Sequence, residues 1–211
     1  MSGHKRILLT GFGPFPGIPE NATSTLVPLI AARASEKQPD FEISHDVLPV
    51  AWRDGPDKSR MLIENWNPGL ILHFGVSEAA SGFVIETRAQ NACQPLADAN
   101  GELPPLELLD LESGTALSST IPFAAIVARL RKVGLPAELS DDAGGYLCNA
   151  VWFQSLRCAR ADLRAGFVHV PCSLGTDTGP LTMADAVRGG VEIISTCIEQ
   201  AKICGVELRS A

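Results

Sequence analysis

Apolar and polar positions alternate along the chain in two rhythms. Short runs rich in β-branched and aliphatic residues predict strands at Arg6 to Thr10, Ile43 to Val50 and Leu70 to Phe74, and helical spacing fills about 22 to 35 and about 57 to 65 between them. The second half repeats the alternation, with helices near Ala124 to Lys132, Tyr146 to Ala159 and Met183 to Ile203, and strands near Ala137 to Leu139 and at Gly166 to Val170. Strands alternating with helices predict an α/β fold in which a largely parallel sheet is covered on both faces, with sites gathered at the carboxyl ends of strands. Between Asn91 and Ser118 the pattern thins around Pro95, Pro104 and Pro105, which reads as an irregular excursion able to hold a hairpin.

A chain of 211 residues with no Ser-rich or charge-dense linker reads as a single domain, 1–211. Its net charge of -7 argues against general affinity for nucleic acid or an anionic membrane. No run approaches the ~18 apolar residues of a membrane span, and the apolar run after His4-Lys5-Arg6 is too short for a signal-peptide core, so a cytoplasmic protein is expected. Six cysteines, at 93, 148, 158, 172, 197 and 204, are scattered through a chain large enough to need no disulfide staples, and reduced thiols are expected. None forms Cys-x-x-Cys or zinc-like spacing with His4, His45, His73 or His169; no metal is expected.

Chemistry concentrates at a few points. Cys148, in Ala143-Gly-Gly-Tyr-Leu-Cys-Asn149, sits where the chain turns into a helix, and a helix N-terminus favours the reactive thiolate. The glycines permit a tight entry and close approach of a substrate to the first N–H groups, which suit an oxyanion. A buried structural cysteine is the competing reading. Cys158 and Cys172 are rival thiols, Cys158 being late in its helix where the dipole opposes ionisation. His169, in Gly166-Phe-Val-His-Val-Pro171, points to the strand face opposite Val168 and Val170. Glu86 follows Phe83-Val84-Ile85 and is either at a strand end in water or held for a partner. A Cys-His-carboxylate hydrolase is compatible with these residues, whose convergence sequence cannot establish. The loop Thr10-Gly-Phe-Gly-Pro-Phe-Pro-Gly17 fails the G-x-G-x-x-G spacing, and Pro14 and Pro16 remove donors a phosphate would need, which disfavours a nucleotide-binding module. Phe12 and Phe15 instead offer either a packed turn or a wall for a flat, weakly polar ring. Asn21 reads equally as a helix N-cap or as an amide directed at a ligand carbonyl.

Taken together, Leu8 to Gly17 with Asn21, Glu86 with Asn91, Asp142 to Asn149, and Gly166 to Pro171 resemble the pyroglutamyl peptidase I (pyrrolidone-carboxylate peptidase) family from about residue 5 to 200. The resemblance implies a cofactor-free cysteine peptidase on a three-layer α/β/α sandwich, often tetrameric, that removes N-terminal pyroglutamate from peptides. It assigns the nucleophile to Cys148, the base to His169 and the third member to Glu86. The ring pocket falls on Phe12 and Phe15 with Leu147, and lactam recognition on Asn21. Two departures bear on substrate fit: Val76 stands where relatives carry glutamine, and Pro95 and Leu96 stand where they carry an arginine, whose role Arg88 could assume. A binder of blocked peptides on the same scaffold is the alternative; rapid stoichiometric alkylation of Cys148 distinguishes the enzyme.

Overall fold

The computed structural model describes residues 5–159, 163–176 and 179–203. Cys204 lies outside the described residues. The elements run β1 (Lys5–Phe12), α1 (Ala22–Lys37), β2 (Phe41–Leu48), α2 (Asp54–Trp66), β3 (Leu70–Ser77), β4 (Phe83–Glu86), β5 (Arg88–Gln90), β6 (Ala116–Ser118), α3 (Phe123–Lys132), β7 (Ala137–Ser140), α4 (Leu147–Arg157), β8 (Arg164–Pro171) and α5 (Met183–Ile203).

Six strands form one sheet in the order β2-β1-β3-β8-β4-β7, and β5 pairs with β6 separately. Every neighbouring pair in the large sheet is parallel except β4 with β8, so the expected parallel sheet contains one reversal. The central strands are buried on both faces and sort their side chains by the two-residue period. Ile7, Leu9, Leu70, Leu72, Phe74, Val168 and Val170 enter the core shared with α1, α3 and α5. Leu8, Phe12, Ile71, Ala165 and Phe167 enter the core shared with α2 and α4. This is the three-layer α/β/α arrangement. No described helix is long and apolar enough to cross a membrane.

The excursion after β5 has little regular structure but is anchored by buried polar side chains. Asn91 donates from Nδ2 to the carbonyls of Asp110 (2.7 Å) and Gly114 (3.0 Å) and accepts the Asp110 N–H at 2.9 Å. Asp98 accepts the N–H groups of Trp52, Asn100 and Glu102 at 2.8–2.9 Å. Burial would raise its pKa, but those backbone donors hold the carboxyl below the usual range. No hairpin is described within the excursion itself; β6 at its end pairs antiparallel with β5, which precedes it.

A second buried polar chain crosses the α2/α4 core. His73 Nδ1 lies 2.6 Å from Thr10 Oγ1 and its Nε2 2.9 Å from Ser155 Oγ, which is 2.9 Å from Ser59 Oγ and 3.0 Å from the Val151 carbonyl. One proton assignment satisfies the chain: Thr10 donates to Nδ1, Nε2–H and Ser59 donate to Ser155, and Ser155 donates to Val151. Burial pushes the ring's pKa down to about 3, which favours this neutral assignment over a ring that donates from both nitrogens. The unfolded chain protonates this histidine below its ordinary value near 6.5, whereas the folded chain resists down to about 3, so His73 removes stability as pH falls between those values. Urea unfolding at stepped pH should give His73→Leu a shallower acid-side loss than wild type, by up to ~1.4 kcal/mol per pH unit. Equal slopes would refute the neutral assignment.

Candidate active site

α4 begins abruptly. Gly144 has φ +79°, a left-handed conformation that suits glycine, and Asp142 Oδ1 accepts its N–H at 2.9 Å. Gly145 makes room for the excursion: a Cβ there would lie 2.5 Å from Gln94 Cγ. Tyr146 takes the N-cap position in extended conformation without a side-chain cap bond, leaving the first helical N–H groups, those of Leu147 and Cys148, with no acceptor among the described residues. Cys148 sits in the first turn, half-buried, with the positive end of the helix beneath it.

β8 and β4 supply the other two groups. His169 shares the Phe167 face of β8 and lies opposite Gly75 of β3 on one side and Val84 of β4 on the other. Glu86 ends β4 two residues beyond Val84 and shares its face, and Glu86 Oε1 accepts from His169 Nδ1 at 2.8 Å. Both side chains are buried, Glu86 at 1% exposure and His169 at 7%. Burial opposes a charged imidazole, yet hydrogen bonds and charge interactions with Cys148 and Glu86 outweigh it and push the His169 pKa up to about 9. The structure thus brings Cys148, His169 and Glu86 together.

Gly75 makes this approach possible. A Cβ at Gly75 would lie 3.0 Å from Cys148 Sγ and 2.8 Å from Phe167 Cζ, so the thiol occupies space that a side chain on β3 would take. Sequence reasoning did not single out this glycine; its only local signal was a small residue between Phe74 and Val76 in a strand of bulky ones.

Two spaces meet at the thiol. One is a narrow cavity of about 20 Å³ lined by Phe12, Phe15, Asn21, Val50, Val76, Tyr146, Leu147 and Cys148, which gathers all four residues expected to recognise the ring. The other is an open cleft of about 1000 Å³ bordered by Cys148, His169 and Glu86. Asn21 is the N-cap of α1: its Oδ1 accepts from Thr23 N (3.1 Å) and Thr23 Oγ1 (2.8 Å), while Nδ2 donates to the Gly13 carbonyl at 3.2 Å. One amide hydrogen is left for another acceptor. Tyr146, also missed, spans both spaces and donates its hydroxyl to the Ala97 carbonyl at 3.0 Å. Arg88 does not border the cleft; its guanidinium pairs with Asp141 at 3.3 Å on the rim.

The other described thiols are unpaired in disulfides, and burial raises the pKa of Cys93, Cys158 and Cys172 and pushes buried Cys197 up to about 12. Among the described residues no three His, Cys, Asp or Glu side chains are grouped to hold a metal ion.

Fold and site together define an α/β protein with a thiol, an imidazole and a carboxylate gathered over two interior strands of a helix-covered sheet. The family model for pyroglutamyl peptidase matches residues 5–200. The chain is 33% identical over 203 residues to a pyrrolidone-carboxylate peptidase of Clavibacter michiganensis, covering 92% of this chain and 93% of the relative. It is 33% identical over 172 residues to a protein of the same name from Thermococcus litoralis, covering 79% and 76%. A mutant pyrrolidone carboxyl peptidase from Pyrococcus furiosus superposes with a TM-score of 0.83 at 27% identity, over 92% of this chain and 99% of that one. The chain belongs to the pyroglutamyl peptidase family and is a cysteine hydrolase of that type.

Gly75→Ala should fold with a loss of ~1–3 kcal/mol from overpacking against Phe167. Moving Sγ out of its position should cost about 10²-fold in the rate of Cys148 alkylation by iodoacetamide. An unchanged alkylation rate would show that the thiol does not depend on the space at Gly75.

Proposed function

We propose that this enzyme removes pyroglutamate from the N-terminus of peptides, with Cys148 as nucleophile, His169 as general acid and base, and Glu86 as the group that orients the imidazole. The single observation that carries the reading is a buried His169–Glu86 hydrogen bond in the same cleft as a thiol at a helix N-terminus. The thiolate attacks the carbonyl that joins pyroglutamate to the next residue, and the oxyanion faces the N–H groups at the start of α4. Collapse of the tetrahedral intermediate breaks the C–N bond while His169 protonates the departing amine. Water then gives a proton to His169 as it attacks the thioester, releasing pyroglutamate and the thiol.

The ring would enter the narrow cavity. Apart from Cys148 itself and the Tyr146 ring its walls are apolar except at Asn21, whose remaining amide hydrogen suits the lactam carbonyl, and its lining includes no carboxylate to pair with a free α-amine. In the present shape the cavity admits little more than a water molecule, so Phe15 or Tyr146 must shift when a five-membered ring binds.

Release of a fluorogenic amine from a pyroglutamyl amide, with a prolyl amide as control, tests the reaction. Cleavage should require the lactam and fall by about 10³-fold or more in Cys148→Ser. Equal cleavage of the prolyl amide, or full activity of the serine variant, would refute the assignment.

The raised pKa of His169 predicts the alkaline limb. The imidazole keeps its proton until about pH 9, and activity should fall above that value as the leaving amine loses its acid. Glu86→Gln removes one of the influences that hold the proton on. The limb should therefore move to lower pH, with a loss of about 10²-fold in kcat. A limb that stays in place in Glu86→Gln would remove Glu86 from the role.

A further inference from the structure

The helices that cover the α2/α4 side of the sheet stop short of its far edge, leaving the β4–β7 pair open there. The parallel register sets Val84 beside Glu138 and Glu86 beside Ser140, so these four share one face. Phe83 and Ile85 point to the other face, into the α1/α3/α5 core. The open face forms part of the large cleft, whose remaining wall includes Glu78 after β3 and Asp141 and Asp142 after β7.

The charge along this cleft is one-sided. Its described lining includes five carboxylates and neither lysine nor arginine. Asp141 is engaged by Arg88, and Asp142 accepts the Gly144 N–H. Glu78 and Glu138 are exposed and have no ion-pair partner among the described residues. At the inner end Glu86 is bonded through Oε1, and its buried Oε2 has no hydrogen-bond partner among the described residues.

What directs a ligand here is the geometry of the reaction and not the carboxylates. If the ring occupies the narrow cavity and its carbonyl meets Cys148, the residue beyond the scissile bond leaves through this cleft, which also borders the thiol. Resting on the function proposed above, we infer that the cleft selects pyroglutamyl peptides with a lysine or arginine in the first or second position after pyroglutamate, and that Glu78 and Glu138 are the specificity-determining residues.

An exposed ion pair multiplies affinity by only about 1.4- to 5-fold, and such interactions fade beyond about 10 Å at 0.1 M salt. Two unpaired carboxylates attracting a cation and repelling an anion should therefore separate lysine from glutamate by roughly tenfold at low ionic strength. The test compares kcat/KM for pyroglutamyl-Lys-amide, pyroglutamyl-Ala-amide and pyroglutamyl-Glu-amide at low and at 0.5 M (roughly a 4 Å screening length) salt. The expected order is Lys above Ala above Glu, compressed by salt. Glu78→Gln with Glu138→Gln should bring the Lys-to-Glu ratio to within about twofold of unity, and Glu138→Lys should lower it further. Because each ratio is internal to one preparation, partial misfolding of a variant does not disturb it. Equal rates on the three substrates, a preference for Glu, or a ratio unmoved by salt or by the substitutions overturns the preference alone. Cleavage of none of the three by folded wild type overturns the proposed function and this preference with it.

Discussion

The site depends on one antiparallel pairing. Strand β8 runs parallel to β3, whereas β4 runs antiparallel to β8 with Val84 opposite His169. The short ladder of Val84 with His169 and Ile85 with Val168 puts Glu86 on the face of the imidazole, and the two side chains meet within hydrogen-bond distance. Once both are buried, each requires the other. An isolated carboxylate at 1% exposure would be costly, and burial alone would drive the ring towards its neutral form. The shared proton makes the pair tolerable and makes the histidine an acid that holds its proton above neutral pH.

The same logic separates the two buried histidines. His73 and His169 face the same side of the sheet, and both rings pack near Phe167. His73 meets only hydroxyls, which serve a neutral ring, whereas His169 meets a carboxylate and a thiol, which serve a charged one. Identical residue type and similar burial therefore give opposite proton affinities, and the partners decide.

Much of the fold was legible because it rests on local pattern. The last helix was read at Met183 to Ile203, where it lies, and the central strands were evident because burial on both faces leaves unbroken apolar runs. Short strands were harder. β4, β5 and β6 span four, three and three residues, too few for a period to register, and the direction of β4 is a matter of pairing that no local pattern encodes. At the site, the candidate residues were visible as chemistry in unusual settings. Their supports were not: Gly75 matters because of a sulfur 73 positions away, and Asp98 because of the Trp52 N–H it accepts. Asn21 was balanced between cap and ligand contact, and its geometry contains the cap while leaving one hydrogen uncommitted.

The narrow cavity beside Cys148 is closed by two aromatic rings of unequal standing. Tyr146 is tied at its hydroxyl to Ala97 and packs edge-on against Trp52, with ring centroids 5.4 Å apart, and Trp52 is itself held by Leu96 and Asp98. Phe15 sits in a small turn that bonds mainly to itself, through reciprocal hydrogen bonds with Ile18, between Gly13 and the left-handed Gly17. One wall of the cavity is thus braced by the excursion, and the other rests on a four-residue turn. If the ring binds as proposed, the phenylalanine side is the one with fewer bonds to give up as the cavity widens.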